Sequence, residues 1–182
     1  GLRSGQAVLV NGASGAVGSA AVQLAAHFGA TVTGVCSGPH LRLVRKLGAE
    51  FVIDYTRTDC TRSGRRYDVI FCDVWGVVHN GQQAYEPAGA ALARFRRAGG
   101  TVILVSNAPV PADGVEQVLA KTGVRRDAWD AIVSSGDIAL QHIAEQGYRR
   151  MHWVGPSERD YRFYVRLNEP QVALEGADAI VC

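Results

Sequence analysis

The stretch NGASGAVGSAAVQLA, residues 11–25, decides how the rest of the chain is read. Before it, QAVLV at 6–10 is a short β-branched run of the kind that forms a buried strand. From within it onward, nearly every residue from 16 to 28 is apolar or small, which predicts a largely buried helix. The turn between them holds Gly12, Ala13, Ser14, Gly15, Ala16, Val17 and Gly18. A strand that turns straight into a helix needs a residue without a Cβ. A pyrophosphate approaches only a bare backbone, and a third small residue lets the helix lie on the strand. The N–H groups of the first helical turn then face the anion. These seven residues are the candidate phosphate cradle; the alternative is a tight turn that binds nothing.

Working outward, short apolar runs alternate with helical patterns, which predicts a parallel α/β sheet. Strands are expected at 6–10, 31–36, 51–53, 68–72, 101–106, 131–134, 151–154 and 178–181. Helices are expected at 16–28, 41–47 and 88–98, and Gly48, Gly99, Gly123 and Gly147 stand where helices would end. Ser157 with Asp160 has the spacing of a helix-opening capping box. At the end of the second strand a site for NAD places Asp or Glu on the ribose hydroxyls, but this chain has CSGPH at 36–40. With no carboxylate there to repel a 2′-phosphate, and with Ser37, His40 and Arg42 to meet one, NADP(H) is the expected cofactor. His40 reads equally as a plain surface histidine.

Composition bounds the rest. With 47% hydrophobic and 20% charged residues, the 182-residue chain is neither disordered nor membrane-spanning in character. A net charge of +2 with scattered Arg pairs argues against nucleic acid, and the pairs read as solvated surface. Cys36, Cys60, Cys72 and Cys182 lack zinc or disulfide spacing, so a reducing cytoplasm is expected. The chain opens on Gly1 and closes on an apolar run, and is expected to be a fragment of something longer. The expected partner is a small-molecule substrate, with homodimer formation left open.

Two family resemblances follow. GQAVLVNGASGAVGSAAVQLAAHFGATVTGVCSG, LVRKLGAEFVIDYT and YDVIF, within residues 1–71, resemble the nucleotide-binding domain of zinc-independent medium-chain dehydrogenases/reductases of the quinone oxidoreductase group. That resemblance implies NADPH-dependent reduction of quinones or α,β-unsaturated carbonyls, with Gly12, Gly15, Gly18, Ser37 and Tyr55 on the cofactor. The catalytic domain of that family lies mostly before such a segment, so only part of a reductase is expected.

From residue 68 onward, CDVWGVVHNG, YEPAGAALARFRRAGGTVILVSNAP and DAWDAIVSSGDIAL resemble the opening of a class IIA hydrolase of the haloacid dehalogenase superfamily. That resemblance implies Asp73 as nucleophile toward a phosphate monoester and as a Mg²⁺ ligand, Ser106 as the hydroxyl that holds the phosphoryl group, and a cap beginning at Asp127. Trp75 stands where most members have a second aspartate, and indole cannot transfer the proton of a general acid. The lysine and further acidic residues of the metal site are expected beyond Cys182. His79, in the same loop, could meet substrate but reads first as facing water, and Trp129 and Trp153 read as packing residues of the cap-like part.

The fold expected is a doubly wound, Rossmann-like parallel sheet of order 3-2-1-4-5 over residues 1–112, then a partial cap-like α/β segment over 113–182. The junction between the resemblances falls near 68–73. Strand four lies beside strand one in that order, so the glycine loop and Asp73 open into one crevice. The expectation is NADPH binding with weak or no turnover. The alternatives are a Mg²⁺-dependent phosphatase and a non-catalytic nucleotide-binding module or engineered chimera.

Overall fold

The structure is a computed structural model and describes residues 2–155, 161, 163–167 and 171–181. Six strands, β1 (Ala7–Asn11), β2 (Thr31–Cys36), β3 (Phe51–Asp54), β4 (Val69–Asp73), β5 (Thr101–Ser106) and β6 (Ala131–Ser134), form one sheet in the order β3-β2-β1-β4-β5-β6. The pairings from β3 across to β5 are all parallel. The expected doubly wound order is therefore present, with β6 added at one edge.

Side chains alternate across each strand. On one face Val8, Val10 and Val32 pack with Val22 and Ala25 of α1 (Ala16–His27) and Val44 of α2 (Leu41–Lys46). On the other face the register aligns Phe51, Thr33, Leu9, Ile70 and Val102 in one row across the strands. Helix α3 (Glu86–Arg97) opens two residues earlier than the sequence predicts because Pro87 sits in its first turn, where a fixed φ and a missing N–H cost nothing. The crossover from β3 to β4, residues 55–68, contains a 3₁₀ turn at Cys60–Arg62 and no α-helix.

The Arg pairs are less idle than composition implies. Arg96 pairs with Asp130, Arg97 with Asp127, and Arg125 with Asp127, joining α3 to the 3₁₀ turn Arg126–Ala128. Asp130 also accepts the Val102 N–H at 2.8 Å, fastening the start of β5. Trp129 is buried in this region, as expected of a packing residue.

Residues 1–106 with 118–132 form one compact unit, and residues 107–117 with 133–182 form a second. The segment from Asp127 to Ile132 thus groups with the sheet. The division falls within helix α4 (Ala112–Thr122) rather than beside it. In the second unit, α5 (Ser135–Gln146) is capped by Ser134, whose Oγ accepts the Asp137 N–H at 3.1 Å. The Asp137 carboxylate in turn accepts the Ala112 N–H at 2.7 Å, so one side chain serves the starts of two helices. The helix ends at Gly147, left-handed at φ 70°. Strands β7 (Met151–Trp153) and β8 (Ala179–Val181) pair in parallel over a core of Met151, Phe163 and Leu167. Trp153 stacks on Tyr164 at 4.9 Å. The expected capping box at Ser157 and Asp160 lies outside the described residues.

Candidate functional site

The site is built on a register. Asn11 pairs with Cys72, and Val10 with Phe71, so the loops leaving β1 and β4 emerge side by side. Gly12 turns the chain with φ 79°, a conformation in which a Cβ would be strained, and a Cβ there would also stand 3.2 Å from the Asp73 Cβ. At Gly18 a Cβ would stand 2.1 Å from the Gly12 carbonyl oxygen, so α1 lies directly on the loop.

Not every amide of the loop is available to a ligand. The Ala13 N–H donates to Val35 O at 2.9 Å and the Gly15 N–H to Gly12 O at 3.0 Å. Ala13 and Gly15 therefore shape the cradle rather than donate to an anion. The groups that α1 leaves without intrahelical carbonyls are the first-turn amides of Ala16, Val17 and Gly18.

The loop opens on a cleft of about 1370 Å³. Gly12, Ser14 and Gly15 line it together with Ser37, His40 and Tyr55, so the structure gathers most of the sequence-predicted cofactor residues around one space. Arg42 lies exposed on α2 and does not line it. Asp73 lines the cleft, whereas Trp75 and Ser106 do not. Ser106 is buried one residue beyond Val105, the register partner of Asp73.

Asp73 is the last residue of β4 and is half-buried. Its carboxylate accepts the Val74 N–H at 2.8 Å, and its Oδ2 lies 3.7 Å from where a Gly15 Cβ would be. Burial pushes its pKa above the ordinary carboxylate value, against a smaller lowering by the Val74 amide. Neighbouring Cys72 is fully buried and its thiol is pushed up to about 12, first by desolvation, which makes it an inert packing residue.

Two expectations need correction. His79 does not face solvent: it is 1% exposed, its Nδ1 accepts the Gly81 N–H at 2.8 Å, and burial lowers its pKa, so it is a neutral loop anchor. Trp75 lies edge-on against it at 5.5 Å and covers Gly81, which accounts for an aromatic residue here without any catalytic role.

The second correction concerns the end of β2. It carries no carboxylate of its own, but β3 pairs Asp54 with Cys36 and brings one alongside. The Thr56 hydroxyl, at 2.7 Å, is the main cause that holds the Asp54 carboxyl below its usual range, and the Gly38 amide adds to it. Sequence reasoning missed Asp54 because strand register is not written in the sequence; the only signal was its place at the end of the FVID run.

Among the described residues no group of three or more His, Cys, Asp or Glu side chains is placed to hold a metal ion. No helix among the described residues is long and apolar enough to cross a membrane.

Comparison with known proteins divides along the same line as the sequence. The family described as haloacid dehalogenase-like hydrolase matches residues 70–163. A solved haloacid dehalogenase-like hydrolase from Brucella suis 1330 is 47% identical with a TM-score of 0.58, the match covering 64% of this chain and 44% of that one. The chloroplastic NADPH-dependent alkenal/one oxidoreductase of Arabidopsis thaliana is 37% identical over 92 residues, 50% of this chain and 24% of the relative. The quinone oxidoreductase of Coxiella burnetii shares the fold, with a TM-score of 0.51 at 19% identity over 90% of this chain and 49% of that one. The chain spans about a third or less of the length of the curated oxidoreductases it matches. It is thus a composite, oxidoreductase-like in the strands that carry the glycine loop, and from β4 onward it belongs to the haloacid dehalogenase-like hydrolase family.

Proposed function

We propose that the sheet unit binds NADP(H) at the crevice between β1 and β4 and, by itself, turns over little or no substrate. The register of Asn11 with Cys72 carries this reading, because it sets the glycine loop at the mouth of a large cleft, at the switch point where doubly wound sheets bind ligands. The first-turn amides of α1 would receive the diphosphate, and Gly12 leaves them unshielded. Ser37 and His40 would meet the adenosine end, and Tyr55 offers an exposed ring beside them. Asp54, engaged by Thr56 and Gly38, stays anionic beside the 37–40 turn and opposes a 2′-phosphate there, so the choice of NADP(H) over NAD(H) rests on Ser37 and His40 acting against that charge.

The nicotinamide, when bound, supplies a hydride to an electron-poor substrate. The chain's own residues bind and orient; Asp73 opposes the diphosphate by its charge. The NADPH dependence named for the Arabidopsis relative supports the choice of cofactor. The test is an NADPH fluorescence titration of the full chain. Saturable enhancement that disappears in Gly15→Asp, with an unchanged far-ultraviolet dichroism spectrum, is the expected result. A wild-type protein that leaves NADPH fluorescence unaltered would end the reading.

A phosphatase reading has one specific support: Asp73 and Ser106 end adjacent strands β4 and β5 of the segment that matches the hydrolase family. In that reading Asp73 would hold the Mg²⁺, with no group of three or more His, Cys, Asp or Glu side chains gathered for a metal ion among the described residues. Mg²⁺-dependent release of p-nitrophenol from its phosphate ester, abolished by Asp73→Asn, would nonetheless establish it over the first reading.

A further inference from the structure

A dinucleotide site tells NAD(H) from NADP(H) by what stands beside the adenosine ribose, where a carboxylate favours free hydroxyls and repels a 2′-phosphate. In this chain two strands build that place. The turn after β2 brings Ser37 and His40 to the cleft. The register of Cys36 with Asp54 sets the end of β3 alongside it.

The approach is close. A Cβ on Gly38 would stand 2.8 Å from Asp54 Oδ2, so the carboxylate lies against the turn itself, and a glycine there leaves room for it. Oδ1 accepts the Thr56 hydroxyl at 2.7 Å and the Thr56 N–H at 3.0 Å, which fixes the side chain. The hydroxyl bond above all holds the carboxyl below its usual range, so the charge is present at neutral pH, and Arg57 offsets part of it.

The backbone of the turn offers little against that charge. Pro39 has no N–H, and the amides of His40 and Leu41 donate to the Ser37 and Gly38 carbonyls. Side chains, the Ser37 hydroxyl and the His40 ring, are then the main donors to a phosphate, while Arg42 stays outside the cleft lining. Elsewhere along the lining Asp59, Asp68 and Asp73 stand against Arg65, Arg66 and Arg94, equal in number.

We infer that Asp54 sets the cofactor preference of this site and brings NADH level with NADPH. The inference rests on the dinucleotide reading of the cleft and narrows it. The carboxylate keeps acceptor capacity for a ribose hydroxyl of NADH, and its charge opposes the 2′-phosphate of NADPH about as far as Ser37 and His40 favour it.

The full chain is titrated with NADPH and, separately, with NADH, each followed by its own fluorescence. The wild type is expected to bind the two within about threefold of one another. Asp54→Asn, which keeps an acceptor for Thr56, is expected to shift the ratio toward NADPH by about fivefold. Added salt shrinks that shift, as a charge effect requires. Thr56→Val loosens the carboxylate but leaves its charge, and moves both affinities together. A wild-type preference for NADPH beyond about tenfold overturns the inference. So does an Asp54→Asn variant that binds both cofactors in the wild-type ratio, and both of these results leave the cofactor reading standing. A chain that binds neither dinucleotide removes that reading, and this inference with it.

Discussion

Single residues carry the largest consequences at Gly18 and Asp73. A methyl group at Gly18 would meet backbone atoms of Gly12 and Ala13 that have no room to yield. Gly18→Ala should cost about 2–4 kcal/mol, read as a lower urea midpoint, because overpacking against main chain forces the helix off the strand. At Asp73 the charge stands beside the cradle, so Asp73→Asn should tighten NADPH on the order of fivefold, about 1 kcal/mol. The same variant carries a pH signature. The pKa of Asp73 is raised in the fold, so the stability it contributes is fully present below the unfolded carboxylate value and is lost as pH rises through the folded one. Asp73→Asn should therefore match the wild type in urea at about pH 3.5 and exceed it at neutral pH. The glycines were legible in the sequence because a bare backbone is itself the signal. The environment of His79 was not, since burial of a loop side chain depends on what folds over it.

At the scale of elements, the strands were legible and their neighbours were not. Strands β2 and β5 occupy the predicted residues, while β1 and β4 are each shifted by one toward their C-terminal ends because the ladder continues through Asn11 and Asp73. The carboxylate beside Ser37 arrives only through pairing of β3 with β2, and the helix-free crossover leaves no mark in local periodicity. The double cap at Asp137 was hidden for a similar reason, as half of it lies in residue 112. Asp137→Ala should lower the stability of the second unit by about 1–2 kcal/mol, since it removes the acceptor of the Ala112 N–H at the start of α4 and of the Ser134 hydroxyl that caps α5. Asp137→Asn, which keeps an acceptor oxygen, should recover most of that loss in the same thermal melt.

Taken as a molecule, the chain carries two family patterns that meet on one strand. Strand β4 pairs with β1 on its oxidoreductase-like side over Val69 to Cys72 and with β5 on its hydrolase-like side over Val69 to Asp73. The two family patterns were legible because each asks for a buried strand ending in a loop at this place, and that shared demand lets a single sheet pass through the junction. Strand β4 is in this sense a seam stitched along both margins. If the polypeptide is severed between residues 66 and 67, each piece keeps a raw border of unsatisfied amides and carbonyls, and such borders aggregate. Produced separately, the halves should precipitate; produced together, they should elute as one species with the dichroism of the uncut chain. Halves that stay soluble and folded apart would mean that the seam holds nothing together.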